Sequence, residues 1–232
     1  MSFNIIYPKN LTPATPIVIL HTFENEGTLV WEELKKLDAD KCILVTIQID
    51  DWNNLMSPWE AKAVFKGGDD FGGGADEYIN RLQTEIIPKV LSQIGAVSAL
   101  NPDGGEENKR PLIIAGYSLA GLFALYSMYR TDIFSSAVSA SGSMWFPGFF
   151  DFAQNNKFCG AKTKNAPDRI YLSLGDKESR TRNEYLRENE SITKSLCEHC
   201  KRQGIDSIFE LNPGNHFSDA NLRVAKGIAW SL

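Results

Sequence analysis

The sequence predicts an α/β fold, a mostly parallel sheet with helices on both faces, and three observations carry that reading. Short, near-continuous apolar runs bounded by turn residues recur along the chain. Segments with helical spacing separate them. At Gly116–Gly121 one such run turns straight into a helix-forming stretch. Strands buried on both faces read as continuous apolar stretches, and parallel neighbours need crossover segments that are usually helices.

In chain order, Pro16–Leu20 reads as a strand, Val30–Leu37 as a short helix and Cys42–Ile49, rich in β-branched residues, as a second buried strand. Across 76–94 the residues Ile79, Leu82, Ile86, Ile87, Val90, Leu91 and Ile94 recur at helical spacing, and Pro88 predicts a kink. The polar stretch Asn101–Glu106 reads as an exposed loop. Then come a strand at Leu112–Ala115, a helix at Leu122–Tyr129, and strands at Ser136–Ala140, Arg169–Leu174 and Ile208–Leu211. Helices are expected near 183–203 and 218–230. No repeat, low-complexity tract or linker interrupts the chain, so residues 1–232 are expected to form one domain.

Composition narrows the function. The chain is 43% hydrophobic and 23% charged, with a net charge of −5, which argues against nucleic acid or an anionic membrane as partner. No stretch approaches the length of a membrane span, and MSFNIIYPKN lacks the charged and apolar regions of a signal peptide. Four cysteines, with Cys42 inside a strand, fit a reducing cytoplasm. Cys197-Glu198-His199-Cys200 has metal-ligand residue types but no second ligand pair, so no metal is expected there.

The chemistry concentrates at Gly116-Tyr117-Ser118-Leu119-Ala120-Gly121. A serine at the apex of a strand–turn–helix is the context of a nucleophile elbow, with Ala120 where the usual G-x-S-x-G pattern has glycine. The tight turn needs small flanking residues, and it leaves the hydroxyl open to a base. No Lys-Ser/Thr pair follows the glycines, which disfavours a phosphate loop. Of the three histidines, His216 lies just after the last strand, at the end where active groups collect in parallel sheets. His21 precedes the serine, and His199 sits among charged residues of a helix. The acid should follow the strand between serine and histidine, where Asp176 and Glu178 both stand; Glu178 has the reach and Asp176 is placed to cap the turn. Backbone donors for a developing oxyanion should come from Leu119 and from the loop after the first strand, at Phe23 or Thr22. Between Asp50 and Gly74 the aromatic residues Trp52 and Trp59 mark a substrate wall or a staple holding the loop, and Trp145 could line the same cavity.

The elbow, the Glu85-Ile86-Ile87-Pro88 helix, Ser141-Gly142-Ser143-Met144-Trp145 and Gly214-Asn215-His216-Phe217 together resemble the esterase D and enterochelin-esterase branch of the α/β-hydrolases. The resemblance runs from about Pro16 to Trp230. It implies an α/β-hydrolase fold and a serine esterase with Ser118, His216 and Glu178 as catalytic residues; some members work with serine and histidine alone. With no additional N-terminal domain or export signal visible ahead of the core, the match to a siderophore esterase proper is weaker, and acyl transfer to a sugar, as in secreted mycolyl-transferring relatives, is not expected.

The reaction expected is hydrolysis of a small or medium carboxylic ester through an acyl-enzyme, with no cofactor. A thioesterase or acyltransferase would use the same residues, and a catalytically silent hydrolase fold would keep only the binding cavity.

Overall fold

Odd- and even-numbered residues of a strand face opposite sides of its sheet, and here the sequence supplies apolar side chains to both. The computed structural model describes residues 2–95, 110–159 and 168–232. The chain opens with β1 (Phe3–Ile6), β2 (Ile17–Thr22), α1 (Gly27–Lys36) and β3 (Ile43–Gln48). An excursion follows, made of α2 (Trp52–Leu55) and a small hairpin of β4 (Glu60–Ala61) and β5 (Phe71–Gly72). Helices α3 (Ala75–Arg81) and α4 (Ile87–Gln93) lead to β6 (Leu112–Tyr117), α5 (Leu119–Arg130), β7 (Ser136–Ala140) and α6 (Phe149–Asn155). The last elements are β8 (Arg169–Gly175), α7 (Glu184–Arg187), α8 (Asn189–Arg202), β9 (Asp206–Asn212) and α9 (Ala220–Ser231).

Among the described residues, seven strands form the main sheet in the order β1-β3-β2-β6-β7-β8-β9. Only β1 runs antiparallel; the other pairings are parallel. Ile17, Ile19, Val45 and Ile114 pack with α3, α4, α5 and α8, whereas Val18, Leu20, Leu44 and Ala115 pack with Val30, Leu34, Val224 and Ile228 of α1 and α9. Each fully buried Val, Leu or Ile side chain is worth about 1.5–3 kcal/mol, so this two-sided burial is the main source of the sheet's stability. The chain passes from β2 to β3 on one side and then crosses back over β2 to β6 on the other. The crevice outside the carboxyl ends of β2 and β6 is therefore a topological switch point, where open parallel sheets bind ligands.

Three departures from the sequence reading have local causes. The helix expected over 76–94 is divided by a π-helical turn at Leu82–Ile86, immediately before Pro88. Proline has no N–H and its ring crowds the carbonyl four residues back, so the ladder widens there instead of breaking. α1 begins at Gly27, ahead of its first buried large side chain at Val30, because its opening turn carries little apolar signal. β1 is a half-buried edge strand whose four residues include a polar one, too short for a periodic signal. The Asn101–Glu106 loop lies outside the described residues. Among the described residues no helix is long and apolar enough to cross a membrane.

His21, on β2, is 1% exposed, with its ring edge-on to Phe123 and Tyr78 at centroid distances of 5.1 and 5.6 Å. Neither ring nitrogen has a hydrogen-bond partner among the described residues. Burial pushes its pKa down to about 3, so the ring is neutral in the folded protein at physiological pH. An unfolded histidine titrates near ~6.5. Below that pH the unfolded chain takes up a proton that the native state refuses, and stability is lost by on the order of 1 kcal/mol per pH unit until about pH 3. His21→Phe is expected to flatten this acid limb, as read from urea midpoints at a series of pH values.

Candidate active site

The turn between β6 and α5 begins with a steric requirement at Gly116. A Cβ on Gly116 would lie 2.4 Å from the Ala120 backbone, so no larger residue lets the strand fold back onto the helix so tightly. Ala120 is fully buried, and its methyl group fits where the usual pattern has glycine. Ser118 sits at the apex with φ +57° and ψ −120°, a conformation that costs a non-glycine residue on the order of 1–3 kcal/mol. Backbone hydrogen bonds hold it there. The Ser118 N–H donates to Ala140 O at 3.1 Å, and its carbonyl accepts from Gly121, Leu122 and Ser143.

β9 ends at Asn212, and the following turn brings His216 to the serine. His216 Nε2 lies 3.1 Å from Ser118 Oγ, and Nδ1 lies 2.7 Å from Glu178 Oε2. An ionised carboxylate only accepts hydrogen bonds, so the proton of a neutral imidazole resides on Nδ1 and the Nε2 lone pair faces the serine hydroxyl. That geometry allows His216 to remove the hydroxyl proton. The Glu178 side chain is 6% exposed. Burial disfavours its charge, but hydrogen bonds from His216, Gly175 N–H and Ser141 outweigh that and hold the carboxyl below the usual range. Asp176 does not meet His216; its Oδ1 accepts from the Gly214 N–H at 2.8 Å and so ties the histidine turn to β8. His199 is on α8, paired with Gln203 at 2.6 Å. Cys197 and Cys200 point into the core beneath the same helix.

The residue that sequence reasoning missed is Arg223, on α9 and 1% exposed. Its Nη1 donates to Glu178 Oε1 and to Ser141 Oγ, both at 2.9 Å, and its Nη2 donates to the carbonyls of Pro213 (2.9 Å) and Asn215 (3.0 Å). One planar guanidinium thus fixes the acid and both sides of the histidine turn. Tyr117 adds a further clamp by donating its hydroxyl proton to the His216 carbonyl. A lone arginine in an amphipathic helix carries no sequence signal of this role, which depends on how α9 docks.

Leu119 is the first residue of α5, where backbone N–H groups have no intrahelical acceptor and the helix dipole is positive. Phe23 follows the end of β2, with its ring edge-on to Trp52 at 5.3 Å. Thr22, the alternative, donates its hydroxyl proton to Glu24 O. Two cavities flank Ser118 and His216. The larger, ≈ 380 Å³, is lined by Phe23, Glu26, Val30, Ala220 and Val224 among others. The smaller, ≈ 280 Å³, is lined by Phe65, Asp69, Phe71, Trp145 and Asn189 among others. Trp52 and Phe217 border both. Trp59 lines neither of these two cavities, and of the two roles the sequence allowed it, wall or staple, its contacts are those of a staple. Its indole N–H donates to Pro147 O at 2.9 Å and its ring packs among Tyr126, Phe146 and Phe152, so it staples the excursion to the core.

Sheet order, elbow and the placement of the histidine turn define an α/β-hydrolase fold. The Esterase family model ("Putative esterase") matches residues 20–217, and the chain belongs to that family of ester hydrolases. It is 23% identical to the uncharacterized protein YbbA of Bacillus subtilis (strain 168) over 183 residues, 78% of this chain and 68% of YbbA. Among solved structures it is similar to the siderophore hydrolase EstA of Aspergillus nidulans, at TM-score 0.72 and 17% identity, covering 99% of this chain and 88% of EstA. An IroE-like serine hydrolase from Shewanella oneidensis superimposes at TM-score 0.71 with 16% identity, covering 98% of this chain and 74% of that one.

Removing Arg223 strands a buried carboxylate. Arg223→Met is expected to destabilise the protein by about 3–5 kcal/mol. With Glu178→Gln added, the double variant should be less destabilised than the sum of the single changes, because no unpaired charge remains. Denaturant unfolding of the four proteins measures the coupling; strict additivity would contradict the pairing.

Proposed function

We propose that the chain is a serine-dependent carboxylic ester hydrolase in which Ser118 is the nucleophile, His216 the general base and Glu178 the group that orients it. The observation that carries this reading is the unbroken chain from Ser118 Oγ through the two ring nitrogens of His216 to Glu178, at 3.1 and 2.7 Å. His216 takes the hydroxyl proton as Ser118 Oγ bonds to the ester carbonyl carbon. The oxyanion is held by the N–H groups of Leu119 and Phe23. As the tetrahedral intermediate collapses, the C–O bond to the alcohol breaks and the proton passes from His216 to that oxygen. Water then adds to the acyl-enzyme by the same steps in reverse order, releasing the acid and restoring Ser118.

The two cavities suit a small or medium ester, one part on each side of the serine. Trp52 and Trp145 supply aromatic walls in this reading. EstA is named for a siderophore substrate; for this chain the reading stops at the ester class. All four cysteines are free, which fits the proposed cytoplasmic setting.

Ser118→Ala is expected to lower kcat by roughly 10⁶-fold and to abolish labelling by a fluorophosphonate probe. A folded variant that kept most activity would overturn the assignment.

Glu178→Gln should lose between about 10-fold and about 10⁴-fold in kcat, depending on how far water substitutes for the lost orientation. Asp176→Asn should cost chiefly stability, about 1 kcal/mol for the weakened bond to Gly214. Purified variants assayed side by side decide between the two acids, and if neither is slowed the enzyme works with Ser118 and His216 alone.

A further inference from the structure

The charges around the two cavities, rather than their shapes, restrict the ester. We propose that the site takes an ester that carries no negative charge on either its acyl or its alcohol part, an inference that rests on the hydrolase reading above and names its substrate class. Among the described residues, neither cavity is lined by any lysine or arginine. Each is lined by a carboxylate outside the proposed catalytic set, Glu26 on one side and Asp69 on the other. A substrate anion placed in either cavity would lose water without gaining a cation, and would face a like charge.

Two basic groups close to the serine offer an anion nothing. Arg223 lies behind Glu178, with both Nη atoms donating to Glu178, Ser141 and the turn carbonyls, and is itself buried. His21, which also lines the larger cavity, is kept neutral by burial. The net charge of −5 adds a general repulsion to the approach of an anion.

What the cavities offer instead is apolar and aromatic surface. Phe217, next to the base, is 88% exposed, and Phe23 and Phe65 are 56% and 47% exposed. These rings stand around Ser118, so an apolar acyl chain or aryl alcohol would cover surface that otherwise meets water. A neutral amide group finds a partner in Asn53, whereas the Asn189 side chain is already engaged by the Trp145 N–H and the Gly142 carbonyl.

Two matched pairs of esters test this with the intact protein at neutral pH and low salt. For the acyl side, para-nitrophenyl pentanoate is compared with the mono-para-nitrophenyl ester of glutarate. For the alcohol side, the butyrate of 4-hydroxybenzamide is compared with that of 4-hydroxybenzoate. Each kcat/KM is divided by the ester's own hydroxide-catalysed rate. The anionic member of each pair is expected to be at least about 10-fold poorer, corresponding to the 1.4 kcal/mol of a tenfold factor. Added salt should narrow the gap. Glu26→Lys and Asp69→Lys should each raise the anionic-to-neutral ratio. Equal rates within both pairs, or a preference for the anionic esters, would overturn the substrate class while leaving the esterase intact. Turnover of none of the four, with no fluorophosphonate labelling of Ser118, would overturn both.

Discussion

A buried guanidinium–carboxylate contact holds together the parts of the site that come from different ends of the chain. Arg223 belongs to the last helix, Glu178 to the turn after β8, Ser141 to the exit of β7, and Pro213 and Asn215 to the turn after β9. Taking two charges out of water is expensive, and the pair is tolerable because nearly every donor and lone pair has a partner. The same completeness makes the arrangement specific. Gly175 shows how closely the parts approach, since a Cβ there would lie 2.4 Å from the Gly214 carbonyl. The histidine turn therefore has little freedom to swing away from the serine.

Against that rigid side stands the local strain at Ser118. The sheet absorbs it: β6 is central, flanked by β2 and β7, and α5 is buried along almost its whole length. Conformational strain at one residue persists only where the surroundings over-determine it, and here four backbone hydrogen bonds and two packed layers do so. Both features lie on the carboxyl edge of the sheet, where its topology already opens a crevice.

What the sequence made legible follows from the range of the interactions. The elbow is local: strand, glycine and helix fall within about twenty residues, so Ser118 could be read directly. His216 and Glu178 were legible through order, because each follows a strand whose carboxyl end must face the same crevice. Arg223 was not, because its partners are brought to it only by the docking of α9 against β7 and β8, and nothing in its own helix marks it. Trp59 and Trp52 look alike in sequence, yet one is drawn into an aromatic cluster under Pro147 and the other is left at the cavities. An aromatic residue in a long excursion signals burial somewhere, not where. Pro88 announced a disturbance in its helix, but not that it would take the form of a π-helical turn just ahead of the proline.

Phe217 projects between the two cavities and borders both, with its ring edge-on to His216 at 5.4 Å. It acts as a partition. In the proposed reaction, a molecule cut at Ser118 would be left with one fragment on each side of that ring. Under that reading, the fragment freed first would not have to pass the one still attached. The vacated compartment would become an antechamber, and whichever small nucleophile filled it would decide the fate of what remains.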